Sequence, residues 1–266
     1  MSHSSGDPSF IVHSFNRVGN VRRLARGIRE AGHGQLLVCD DGSIDGSREA
    51  WLGELGAVAG ALVLSNDLHE IRILDRAIRA SDAEIVCLLQ DDDRIPPDRR
   101  WLDAALGAFE RFRDLAVIGG FMAFNSCDRS PIRSRDSAIW GGSGFQFVWH
   151  VNIGPYFVRH RHYVALGGFD FGYSAPGEPG IGFDSEFCLR AWREGYQVGY
   201  RFTPLKGPPH SYSLNGGTML FARNERFRNQ WRNHELLYRQ YAPAEPEIVR
   251  RVAEANRMLQ AGGACA

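Results

Sequence analysis

Carboxylates gather in two short runs of the chain, Asp40-Asp41-Gly42-Ser43 and Gln90-Asp91-Asp92-Asp93. Three consecutive aspartates repel one another. Their charge is most readily offset by a hard divalent cation such as Mg2+ or Mn2+, which keeps water and substrate phosphates in the rest of its shell. The pair Asp40-Asp41 has a second use, capping of a turn or of a helix, and the sequence leaves both uses open. Asp184 and Glu186 open a helical stretch, where the helix dipole favours acids. No GxGxxG follows the first apolar run and no GxxxxGK[ST] occurs anywhere, so dinucleotide and P-loop readings lose their main support. A phosphate-bearing ligand would then be held through metal, which points to a nucleoside diphosphate bridging a divalent ion.

The elements that position these residues follow from periodicity. Apolar runs at 9–15, 35–39, 61–64, 84–89 and 115–121 read as strands. Helical patterns separate them, the first carried by Val18, Val21, Leu24 and Ile28, the others at 45–55, 69–80 and 98–112. This alternation predicts a parallel sheet covered on both faces, with ligands beyond the carboxyl ends of its strands. Ser14-Phe15-Asn16-Arg17 and both aspartate runs each follow a strand, and so they gather along one edge. From about residue 125 the rhythm is lost. Residues 125–144 read as a long loop over a site, 145–152 as an antiparallel strand, 159–166 as a short helix and 167–182 as a glycine- and proline-rich excursion. A helix at 184–194, a strand at 197–202, a loop at 206–217 and helices at 219–241 and 246–259 complete the chain.

Composition bounds the function. The chain has 266 residues, 44% of them hydrophobic and 23% charged, the balance of a globular protein. Lys and Arg balance Asp and Glu at 31 each, which argues against non-specific nucleic-acid binding. Five scattered cysteines without a CxxC pair read as buried thiols in a reducing compartment. With neither a signal-peptide pattern nor an apolar run of membrane-spanning length, the expected location is cytoplasmic. Arg223, Arg226, Arg228 and Arg232 with Phe227 and Trp231 give the penultimate helix a basic, aromatic surface suited to an anionic membrane. Glu225 and Glu235 interrupt it and favour a solvated face.

Taken in order, SFNR at 14–17, DDGS at 40–43, the aspartate triplet with Ile95-Pro96-Pro97 after it, LGGFD at 166–170 and FDSEFCLRAWREGY at 183–196 resemble glycosyltransferase family 2 of the GT-A fold, over about residues 10–218. The resemblance implies an α/β architecture: a Rossmann-like, mostly parallel sheet with helices on both faces, a smaller antiparallel acceptor-side part and C-terminal helices. It implies a tail at 1–8, a transferase domain at 9–218 with nucleotide-sugar and acceptor halves meeting at 124–125, and a helical extension at 219–266.

The activity it implies is metal-dependent, inverting transfer of a sugar from a nucleoside-diphosphate sugar to an acceptor hydroxyl, with Mn2+ or Mg2+ as cofactor. Asp41, with Asp40 beside it, would read the nucleobase, and Ser14 would touch it through the main chain. Counting back from Pro97 puts Gln90, Asp91 and Asp92 on the three DxD positions. The first acid is thus replaced, Asp92 is the preferred metal ligand, Asp91 a contact to the ribose or to the ligands around the metal, and Asp93 the alternative ligand should the register shift by one. His69 and Arg72 are candidates for base or phosphate, and His210 for completing the metal site. Asp184 matches the catalytic base, with Phe183 as an apolar wall that could raise its basicity, and Glu186 is its rival. A nucleotidyltransferase that makes a nucleotide sugar and a non-catalytic carbohydrate-binding module are the competing functions.

Overall fold

Four apolar runs build one half of the large sheet. β1 (Ser9–Ser14), β2 (Leu36–Asp40), β3 (Gly60–Leu64) and β4 (Ile85–Gln90) are parallel. β1, β2 and β4 are buried along nearly their whole length, as unbroken apolar strands covered on two faces should be. Among the helices between them, α1 (Val18–Ala31) buries Val21, Leu24, Ala25 and Ile28, and α3 (His69–Arg79) buries Ile71, Leu74 and Ile78, each set on one helical stripe. α2 (Ser47–Leu55) contributes Trp51, and α4 (Arg100–Arg111) contributes Trp101, Leu102 and Phe109. The computed structural model describes residues 7–32, 35–56, 60–66, 68–96, 98–124, 131–132, 144–174, 178, 180–203 and 223–263.

Strand order in the eight-stranded sheet is β3-β2-β1-β4-β10-β5-β11-β8. From β1 the chain first builds outward through β2 and then returns to β4 on the other side. That reversal opens a crevice at the strand ends between β1 and β4. The expected fifth strand, β5 (Leu115–Gly119), keeps the parallel direction but does not adjoin β4. β10 (Tyr156–Arg159) lies antiparallel between them. Its four residues precede α5 (His160–Ala165), so only the helical part of 159–166 was legible. The buried Arg159 guanidinium donates to the carbonyls of Leu115, Phe109 and Phe112 and pairs with Glu84, which fixes the end of the inserted strand.

The single strand expected at 145–152 is two. β8 (Phe145–Phe147) pairs with β11 (Gln197–Arg201) in the large sheet. β9 (His150–Val151) pairs with β6 (Ala123–Phe124) in a small sheet that also holds β7 (Pro131–Ile132). The crossover lies between Val148, whose N–H goes to the Val198 carbonyl, and Trp149, whose N–H goes to that of Phe124. The LGGFD segment is a hinge of packing. Phe169 lies edge-on to Phe183 at 4.8 Å, and a β-carbon on Gly168, at φ +82°, would strike Arg79 and Asp75.

α6 (Phe183–Arg193), α7 (Arg223–Tyr241) and α8 (Glu245–Gly263) complete the chain. On α7, Trp231 is 71% exposed while Arg232 pairs with Glu178 at 2.9 Å. Among the described residues no helix is long and apolar enough to cross a membrane. Cys39, Cys87 and Cys188 are buried free thiols; Cys127 and Cys265 lie outside the described residues.

Candidate active site

The crevice side of β1 and β4 carries opposed charge in a small space. In the sheet His13 is the register partner of Gln90, and Ser14 that of Asp40. The Nε2 atom of His13 is buried without a hydrogen-bond partner. Burial holds its imidazole below the ordinary histidine range, against the pull of Asp91, Asp41 and Asp40. Asp91 accepts the Phe15 N–H at 2.9 Å and has the Arg17 guanidinium at 3.6 Å. Burial nevertheless outweighs these partners and pushes its carboxyl up to about 6.

Asp40 and Asp41 differ sharply. Asp40 is buried and accepts the Ser43 N–H at 2.9 Å, closing its own turn. Asp41 reaches across to the start of α3: Oδ1 accepts from Ser65 Oγ at 2.7 Å and Leu68 N at 3.0 Å, and Oδ2 accepts from His69 N at 2.9 Å. The helix it caps is therefore not the one that follows it in sequence. His69 is held there at φ +56°. Ser14 is occupied on both oxygens, its hydroxyl by Trp51 Nε1 at 3.0 Å and its carbonyl by Asp41 N at 3.0 Å.

Within the triplet, Asp93 is fully buried and accepts the Gln90 N–H at 2.8 Å. It closes the turn that re-aims the chain after β4. Asp92 is half-buried. Among the described residues no three His, Cys, Asp or Glu side chains group as a metal cage, and His210 lies outside the described residues. Arg72 donates to Ser174 Oγ and the Ser174 carbonyl at 2.8 and 2.7 Å.

Across the crevice, Asp184 sits in the first turn of α6, buried, and accepts N–H groups from Ile153 at 3.2 Å and Ser185 at 2.8 Å. Burial, with a smaller contribution from the negative charge of Glu70, pushes its carboxyl up to about 6 despite the helix dipole. Glu186 is engaged otherwise. It pairs with Arg190 through both oxygens and accepts from Tyr241 Oη at 2.6 Å. Beside Asp184, Ser185 Oγ lies 2.9 Å from His150 Nδ1, and the His150 ring stacks on Phe124 at 4.3 Å.

A family description, glycosyl transferase family 2, matches residues 9–166. The chain belongs to that family. Solved structures share its architecture. Residues 1–349 of S. aureus TarS align at 13% identity with a TM-score of 0.52, covering 74% of this chain and 61% of that one. The same TarS region in complex with UDP aligns at 13% identity with a TM-score of 0.57, covering 89% and 72%. This family 2 chain thus spans about three-fifths of the first TarS structure, and at such identity the likeness concerns the fold. No curated protein matches.

Two site residues of this family 2 chain escaped the sequence reading. His13 was legible only through strand alternation, which turns it away from the face of Ser14. Glu70, in the first turn of α3, is joined to Gln90 Nε2 at 3.1 Å; an acid in a first helical turn is too common to signal a site.

Proposed function

We propose that the chain is an inverting glycosyltransferase that moves a sugar from a nucleoside-diphosphate sugar to an acceptor hydroxyl in a single displacement. One observation carries this reading. A buried carboxylate, Asp184, stands at the head of α6 with its acidity weakened to about 6, within electrostatic reach of Glu70, which the Gln90 amide at the end of β4 contacts at 3.1 Å. Such a group is ionised at neutral pH, yet more basic than a surface carboxylate, as a general base must be. The acceptor hydroxyl passes its proton to Asp184 as its oxygen bonds the anomeric carbon. The bond from that carbon to the phosphate oxygen breaks, and the nucleoside diphosphate leaves with the electron pair.

On the nucleotide side, Asp41 Oδ1 already takes two protein donors and Oδ2 one. Oδ2 therefore keeps a lone pair for a base N–H. His13 lies within electrostatic range of Asp91, Asp41, His69 and Asp40, which supports their sharing the nucleotide side. Asp92 is the protein ligand for a divalent ion, in preference to the enclosed Asp93, with His210 as a second candidate. When bound, that ion would neutralise charge on the departing diphosphate. The UDP in the TarS complex supports a nucleoside diphosphate as the donor half. The transfer domain spans 9–218, its nucleotide-sugar half at 9–124 and its acceptor half at 125–218, and 219–266 forms a helical extension.

The test is thermal melting with UDP, GDP, ADP, CDP and dTDP, each with and without Mn2+, since a ligand that binds the folded form raises its stability. Hydrolysis and transfer assays with the matching nucleotide sugar follow. Stabilisation by one diphosphate together with transfer supports the reading. Pyrophosphate release from a nucleoside triphosphate and a sugar phosphate would replace it with nucleotidyl transfer.

A further inference from the structure

Glu70 has no task in the reaction above, yet it reaches both halves of the site. It is half-buried in the first turn of α3 and joined to the Gln90 amide at 3.1 Å. Gln90 ends β4 immediately before Asp91 and Asp92. On the other side, the charge of Glu70 is felt at Asp184.

This placement coincides with the position the transferred sugar must take. The anomeric carbon has to lie between the diphosphate oxygen it leaves and the acceptor oxygen whose proton goes to Asp184. With the diphosphate at the strand ends beside Asp92, a sugar ring directed toward Asp184 would pass Glu70, whose carboxylate meets the Gln90 amide at 3.1 Å and whose charge reaches Asp184. A carboxylate accepts from two neighbouring hydroxyls, and a carboxamide both donates and accepts, so the pair suits the hydroxylated edge of a sugar. A carboxylate on the sugar would instead face Glu70 and Asp184 together, and like charges at such range are costly.

We propose that Glu70, steadied by Gln90, selects the sugar of the donor, taking the hydroxyls of a neutral hexosyl group and rejecting a uronosyl group. This inference rests on the glycosyltransferase reading and deepens it.

The experiment compares wild type with Glu70→Gln and Glu70→Asp by calorimetric titration. The probes are the nucleoside diphosphate that stabilises the protein, its glucose conjugate and its glucuronic acid conjugate. Wild type should prefer the glucosyl over the glucuronosyl compound by about tenfold or more, the size of one charge-assisted contact. Glu70→Gln should bind the free diphosphate within about twofold of wild type while the preference falls below about threefold. Glu70→Asp keeps the charge but withdraws it by one methylene, so it should retain rejection of the glucuronosyl compound and lose glucosyl affinity. Unchanged preference in Glu70→Gln, or a parallel loss for the free diphosphate, overturns the inference and leaves the transferase reading standing. If wild type binds none of the five diphosphates, that reading falls, and the inference falls with it.

Discussion

Asp92 and Asp93 are neighbours of one chemical type, and burial separates them, Asp93 being fully enclosed and Asp92 half-buried. Asp93 satisfies the Gln90 N–H inside a closed turn. Asp93→Ala therefore strands a buried donor and should cost about 1–3 kcal/mol in urea unfolding. Asp92→Ala should abolish the Mn2+-dependent part of nucleoside diphosphate binding. Equal affinity with and without Mn2+ in wild type would remove Asp92 from that role. Asp184 allows a sharper test because its carboxyl is raised to about 6 from an ordinary 3.8. A raised acid is protonated more readily in the folded state, so its contribution to stability is greatest below about 3.8 and is lost as pH climbs through about 6. Asp184→Asn carries no such penalty. Its melting temperature relative to wild type should therefore be higher at pH 7.5 than at pH 4.5, while transfer falls about a hundredfold or more with the donor still bound. A pH-independent difference in melting would contradict the assigned burial of charge.

At the scale of elements, the start of α3 is organised by an acid from another strand. Asp41 leaves the end of β2 and receives Ser65 Oγ, Leu68 N and His69 N, which places His69 and Glu70 at the crevice. Asp41→Ala should lower stability by about 1–2 kcal/mol, as loss of a helix cap does. Asp41→Asn should cost less, because an amide oxygen still accepts. Equal stability of all three proteins by thermal melting would deny the cap. The same element marks how far sequence reached. The βα rhythm of residues 9–112 was legible because its strands are apolar and its helices keep a 3.6 period. β10 was not, since four residues between a glycine-proline step and a helix carry too little period to register. The break between β8 and β9 was hidden because alternation runs on through Val148 and Trp149 while the hydrogen-bond partners change sheets. Of the acids at the crevice, Asp41, Asp91, Asp92 and Asp184 stood out by their position after strands or by the family motif. His13, Glu70 and the contact of Arg72 with Ser174 depend on distant partners that no local spacing records.

For the whole molecule, the question is whether the C-terminal helices are a separate attachment or part of the folding unit. α8 answers for the edge of the sheet. Buried Asn256 accepts the Phe147 N–H at 2.9 Å and donates to the Phe147 carbonyl at 2.8 Å, acting as one more strand partner for β8. Arg251 donates to the Trp192 carbonyl at 2.9 Å, and Tyr241, at the end of α7, holds Glu186 in the helix that carries Asp184. Asn256→Leu leaves a backbone donor and acceptor buried without partners, at about 1–3 kcal/mol for each group. Because the helices and the sheet share these contacts, the loss should lower the urea midpoint of one cooperative transition, seen alike by tryptophan fluorescence and far-ultraviolet circular dichroism, with the slope unchanged. An early transition confined to helical signal would instead mark residues 219–266 as a unit that folds apart from the catalytic sheet.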